Sequence, residues 1–280
     1  MRIRATVAVL TGTLALSALA VPAAQAADAP KVPNLTTFSQ KGPADETVGD
    51  TKITKVTVNG GKDIVVGTSA KKTVTITVTA TDPSGIKDGA ALLWHGSKFT
   101  VDDIDGSMVP DEDEAADCKA VNATTGTCTI KVVADPKVNI YGNILAGKWK
   151  VLAGAQAKDG DYIIRDTYAS NVSVKRAAKL TTNASPEPVK KGRTITVTGA
   201  LTRANWDTAK YAGYTGQSVE LQFKKKGASS YTTVKTVKSG SKGALKTTVT
   251  ASADGYFRYS FAGTSTTPSV TSVSDFIDVQ

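Results

Sequence analysis

Hydrophobic and polar positions alternate along most of this chain. Val74, Ile76, Val78 and Ala80 share one parity, with threonines between them. The same alternation returns at Ile195, Val197 and Leu201, at Val219, Leu221 and Phe223, and at Leu245 and Val249. It closes with Phe257, Tyr259 and Phe261, then Ile277 and Val279. Successive side chains of an extended strand point to opposite faces, so a period of two predicts strands with one buried face. The abundant Val and Thr suit a pleated surface. Turn-forming clusters separate the runs: Asn59-Gly60-Gly61, Asp82-Pro83-Ser84-Gly85, Lys158-Asp159-Gly160-Asp161 and Ala253-Asp254-Gly255. No segment carries the 3.6-residue period of an amphipathic helix. The pattern predicts an all-β protein of many short strands.

Two halves repeat weakly. Lys72-Thr73-Val74-Thr75-Ile76-Thr77-Val78 parallels Arg193-Thr194-Ile195-Thr196-Val197-Thr198-Gly199. Gly147-Lys148-Trp149-Lys150-Val151 parallels Gly255-Tyr256-Phe257-Arg258-Tyr259. Each half has an early alternating strand and a late one entered through glycine. These are expected as central strands of opposite sheets in two tandem immunoglobulin-like β-sandwich domains. The expected domains are residues 48–176 and 177–280, with a short linker near Lys175-Arg176-Ala177-Ala178. Trp94, alternating with Leu92, is expected in a core, and Trp149 in a strand.

The N-terminus has a different character. Arg2 and Arg4 precede an apolar run from Ala5 to Ala20, then Pro22 and Ala24-Gln25-Ala26. These are the parts of a secretory signal peptide spanning residues 1–26. Residues 27–47, rich in Pro, Ala, Lys and Thr, read as a flexible leader. Without 26 of its 280 residues the chain keeps 254, enough for two ordinary domains. No further apolar run offers a transmembrane anchor in the mature chain. Secreted, extracellular or loosely surface-associated localisation is expected. There, the two cysteines Cys118 and Cys128 are expected to form a disulfide.

The stretch Ala184-Ser185-Pro186-Glu187-Pro188-Val189-Lys190-Lys191-Gly192, the strand from Thr194 to Leu201, Asp254-Gly255-Tyr256-Phe257-Arg258-Tyr259 and Phe261-Ala262-Gly263-Thr264-Ser265-Thr266 resemble secreted Ig-like repeat proteins of actinobacteria. The resemblance covers residues 180–280, and 48–176 more loosely. That family is mostly uncharacterised, and some members carry a calcium-binding label. The resemblance implies fold and export, and it transfers no catalytic residue.

Charge divides the halves. Residues 48–176 hold 16 Lys/Arg and 16 Asp/Glu, whereas residues 177–280 hold 14 Lys/Arg and 6 Asp/Glu. A basic exported domain is drawn to anionic envelope polymers or polysaccharides. Candidate contacts are Lys224, Lys225, Lys226, Lys235, Lys238 and Lys242, weighed against a solubilising role on strand edges. No nucleic-acid motif appears. Eight acids fall within sixteen residues at Asp102, Asp103, Asp105, Asp111, Glu112, Asp113, Glu114 and Asp117. Calcium would relieve their repulsion, with Asp102, Asp103, Asp105, Asp111, Glu112 and Asp113 as candidate ligands. Against this, an EF-hand register places Val101 at the first ligand position. The alternative is a solvated acidic loop tied at its base by the two cysteines. No other cofactor is implied. Trp206, Tyr211 and Tyr214 lie in a long polar segment, placed either to stack on glycans or to plug the open end of the sandwich.

His95, the single histidine, lies in a strand next to Trp94, and no Gly-x-Ser-x-Gly, zinc-protease, Rossmann or P-loop motif occurs. The expectation is therefore a non-enzymatic secreted or envelope-associated binding protein with no catalytic residues. The alternatives are a calcium-stabilised extracellular protein or a carbohydrate-binding module.

Overall fold

The computed structural model describes residues 45–111, 114–168 and 172–280. The expected signal peptide, the leader up to residue 44, and Glu112 and Asp113 lie outside the described residues. The protein is all-β, and its helical turns among the described residues are the short 3-10 segments Asn59–Gly61, Asn143–Leu145 and Ser241–Gly243.

In the N-terminal sandwich one sheet orders Lys52–Val58, Lys72–Thr81, Thr125–Ala134 and Asp117–Ala120. The facing sheet orders Glu46–Val48, Tyr162–Tyr168, Lys150–Ala157, Ile86–Gly96 and Ile104–Met108. Pairing thus begins at Glu46, inside the segment read as leader. The C-terminal sandwich sets Asn183–Ser185, Thr194–Asn205 and Ala244–Thr250 against Thr232–Lys238, Ser218–Lys225, Gly255–Phe261 and Asp275–Ile277. This partition, in which the chain leaves a sheet after two strands and returns to it later, is the Greek key of immunoglobulin-like sandwiches. The repeated motifs occupy equivalent places. Lys72–Thr81 and Thr194–Asn205 are interior strands of one sheet; Lys150–Ala157 and Gly255–Phe261 are interior strands of the other.

The alternating residues face inward. Ile76, Val78, Leu93, Ile130 and Val151 pack in the N-terminal core, and Ile195, Val197, Leu221, Tyr259 and Ile277 in the C-terminal one. Each buried aliphatic side chain contributes about 1.5–3 kcal/mol. Tyr259 satisfies its buried hydroxyl by donating to the Val197 carbonyl at 3.0 Å, and burial pushes its pKa up to about 12. Trp149 lies in the N-terminal core and donates to the Leu145 carbonyl at 2.8 Å. Trp94 packs on the other face of its sheet with Leu92, Phe99 and Leu152, so that sheet is covered on both sides. Cys118 and Cys128 are bonded, with Cα atoms 3.9 Å apart. The bridge joins neighbouring strands of one sheet, unlike the inter-sheet disulfide of antibody domains.

A single residue, Ala177, separates the last strand of the first sandwich, Ser173–Arg176, from Ala178–Leu180. The strand Thr194–Asn205 overruns its own sandwich and pairs with Lys210–Gly213. The tip of this hairpin carries Trp206 into the core of the N-terminal sandwich, where it is 3% exposed.

Candidate functional site

The aromatic segment forms a junction between the sandwiches. Trp206 donates its indole N–H to the Gly67 carbonyl at 2.9 Å. The Asn143 backbone N–H and side-chain amide donate to the Asp207 carboxylate, and the amide also reaches Asn205. Arg176, nearly buried, donates through Nε to the Ala204 carbonyl at 2.6 Å, and burial pushes its pKa down to about 10. Tyr211 packs on the N-terminal core, with the Lys179 ammonium 4.0 Å from its ring centroid. Tyr214 packs on the C-terminal core and carries the Arg203 guanidinium 3.7 Å above its ring. Of the two placements read from sequence, plugging describes Trp206, but the space it fills belongs to the other domain.

The six lysines are spread over an interior strand, the neighbouring edge strand and two turns of the C-terminal sandwich. Lys224 and Lys225 end the strand Ser218–Lys225, and Lys226 follows in the turn. Lys235 and Lys238 lie on Thr232–Lys238, the outermost strand of its sheet, with Lys238 opposite Ser218. Seven residue steps separate Ser218 from Lys225, or about 23 Å of strand. Lys242 lies beyond, in the turn Ser241–Gly243. Lys226 pairs with Asp254 at 3.4 Å. The other five have no carboxylate partner among the described residues.

The outer face of the same sheet carries aromatic rings. Gly255–Phe261 directs Phe257, Tyr259 and Phe261 inward, so Tyr256 and Arg258 face out. Across the ladder Tyr256 stands opposite Lys224 on one side and Phe276 on the other, and Arg258 stands opposite Gln222. The Tyr256 and Phe276 centroids are 5.1 Å apart. Arg258 stacks 3.7 Å above the Tyr231 ring, and Lys224 lies 5.2 Å from both tyrosine rings.

Among the described residues, the acids expected to share calcium form no cluster. Asp105 bonds His95 Nδ1 at 2.5 Å. Asp103 accepts the Ser97 and Thr100 hydroxyls, which hold its pKa below the usual value. Glu114 pairs with Lys131, Asp117 with Lys119, and Asp111 is exposed. Asp102 joins no cluster among the described residues. The bridged hairpin follows this segment, so the disulfide does not close the acidic loop.

Carboxylates converge elsewhere, where Asp50, Asp82 and Asp161 bring oxygens within 4.8 Å of one another. Desolvation and the neighbouring Asp82 and Asp161 charges raise the Asp50 pKa. At Asp82 burial acts upward, but hydrogen bonds from Ser84 and Thr51 prevail and lower the pKa. Three turns distant in sequence supply this group, and no local spacing announces it. His95 shares no hydrogen bond with a hydroxyl among the described residues.

A family described as "Family of unknown function (DUF5707)" matches residues 64–155, about a third of the chain and within the N-terminal sandwich. That match carries nothing about actinobacterial Ig-like repeat proteins. No curated protein matches the chain. Among solved structures, fibronectin(III)-like modules of CbhA from Clostridium thermocellum align over 80% of this chain and 93% of theirs, at 13% identity and TM-score 0.29. A marsupial T cell receptor aligns over 80% and 73%, at 12% identity and TM-score 0.36. Dimeric latent PorU from Porphyromonas gingivalis aligns over 89% of this chain at 11% identity and TM-score 0.27, and the chain spans 21% of its length. Likenesses this distant carry no argument about function.

Proposed function

We propose that this chain is a non-enzymatic exported protein that adsorbs to anionic envelope polymers through its C-terminal sandwich. The observation that carries the reading is five lysines without carboxylate partners among the described residues, two on an edge strand, two at the end of the strand beside it and one in a turn, in a half with 14 Lys/Arg against 6 Asp/Glu. A polyanion meets such exposed, unpaired charge without needing a cleft. The N-terminal sandwich serves as a docked, disulfide-stapled support.

Binding of the exported chain to immobilised polyphosphate tests the reading. Raising salt from about 0.1 M to about 1 M shortens the screening length from about 10 Å to about 3 Å. Binding is expected to weaken at least roughly tenfold over that range, since exposed charge contacts are screened. Changing Lys224, Lys225 and Lys226 together to Gln should weaken low-salt binding. Salt-independent retention would refute adsorption by charge.

A second reading, calcium stabilisation of the N-terminal sandwich, is favoured by the convergence of Asp50, Asp82 and Asp161. A ligand that binds only the folded state raises the melting temperature. Melts with calcium and with chelator are expected to differ, and superimposable curves remove this reading.

A further inference from the structure

We infer that the outer face of the sheet Ser218–Lys225, Gly255–Phe261 and Asp275–Ile277 is a binding platform for an acidic polysaccharide, with Tyr231, Tyr256 and Phe276 stacking on sugar rings and Lys224 and Arg258 holding their carboxylates. The inference rests on the polyanion reading and names the polymer class.

The inward residues of this sheet pack in the C-terminal core, and its other face meets water. Aromatic side chains on the wet face do no core packing. Tyr231, Tyr256 and Phe276 are half-buried and belong to neither packed core. Tyr259 and Phe261 of the same strand are buried. Phe276 and Tyr256 lie on neighbouring strands and Tyr231 just before the edge strand two strands further on, a span of about 14 Å at the usual strand spacing. They are held in place. Tyr256 packs against Phe276, and the Arg258 and Lys224 cations lie within attraction of the tyrosine π-faces. Rings positioned this way lose little further freedom when a ligand arrives, which lowers the ordering cost of binding.

The ligand class follows from the two chemistries side by side. The C–H-lined face of a pyranose is apolar and slightly positive, complementary to the negative face of an aromatic ring. A neutral glycan would use the rings and leave the cations idle, and a bare polyanion would do the reverse. A uronate polymer uses both. Arg258 donates Nε–H to the Gln222 side chain at 2.9 Å, and neither Arg258 nor Lys224 has a carboxylate partner among the described residues. Lys224 lies on this face at the end of the strand beside the basic edge strand, so a polymer held on the rings reaches toward Lys235 and Lys238. Of the residues read as either glycan-stacking or plugging, Trp206 is buried in the N-terminal core, and Tyr211 and Tyr214 pack against the two cores.

Affinity of the exported full-length chain is measured at one ionic strength for polygalacturonate, polyphosphate and neutral dextran. The wild type should bind polygalacturonate more tightly than polyphosphate of equal charge, and dextran weakly. Tyr256→Ala with Phe276→Ala should cut polygalacturonate affinity about tenfold, about 1.4 kcal/mol, and move polyphosphate affinity less than about twofold. Lys224→Gln with Arg258→Gln should weaken both, and Tyr256→Phe should behave as wild type. If the alanine pair fails to fold, Tyr231→Ser, outside the strand ladders, is read against the same two polymers. Ring substitutions without effect, or with equal effect on both polymers, overturn the platform and leave adsorption standing. Wild type binding neither polymer overturns both. Ring-dependent binding to phosphatidylglycerol vesicles, with polygalacturonate unaffected, also overturns the platform and points to a membrane.

Discussion

Asp82 is the residue on which one corner of the N-terminal sandwich turns. It is 2% exposed and accepts the Thr51 hydroxyl at 2.8 Å, with the Ser84 hydroxyl at 2.6 Å and the Ser84 N–H at 2.8 Å. These bonds outweigh desolvation and hold its pKa below 3.8. A carboxylate with a depressed folded pKa lends stability that is complete above the unfolded value and lost as pH falls through the folded one. Asp82→Asn should therefore cost stability at neutral pH, on the order of 1–3 kcal/mol for the weakened hydrogen bonds. It should also flatten the loss of stability below pH 3.8, as measured by urea unfolding at a series of pH values. Parallel acid limbs in the two proteins would show that Asp82 does not contribute this way. The turn at Asp82-Pro83-Ser84-Gly85 was legible in the sequence, but its meeting with Asp50 and Asp161 was not. Hydrogen bonding and charge crowding there depend on three turns brought together by the ladder.

Among the elements, the strand Thr194–Asn205 does two jobs. Its first half pairs with Ala244–Thr250 inside the C-terminal sandwich, and its second half carries Trp206 out of it. Loss of a large buried aromatic costs about 3–5 kcal/mol. Here the loss falls on the contact between sandwiches, so Trp206→Ala should uncouple them. Calorimetry is expected to show one transition in the wild type and two in the variant, and a single transition lowered as a unit would argue against this. The alternation of Ile195, Val197 and Leu201 foretold the first half of the strand. Trp206 read as an aromatic in a polar segment, because its apolar surroundings come from a domain that local sequence does not reveal. The outward aromatics were hidden for a different reason. Tyr256 sits in the off-parity positions of a strand read by its inward residues, Phe276 joins it only across the ladder, and Tyr231 reaches the face from outside the strands.

At the scale of the whole molecule, charge and architecture divide along the same line. The charge-balanced sandwich holds the disulfide and the convergent carboxylates, while the basic one holds the lysine edge and the aromatic face. One intervening residue and the Trp206 contact dock them together. The salt dependence expected of polymer binding belongs to this scale, because five lysines without carboxylate partners act together through a field that no single residue creates.

The sequence by itself determined the strands, their inward faces, the weak repeat of the two halves and the excess of positive charge on the second half. All of these follow from short-range periodicity or from counting. Tertiary structure alone decided where Trp206 is buried, which carboxylates meet and which rings share a face. Those are contacts between residues far apart in the chain, and only the register between strands brings them within reach.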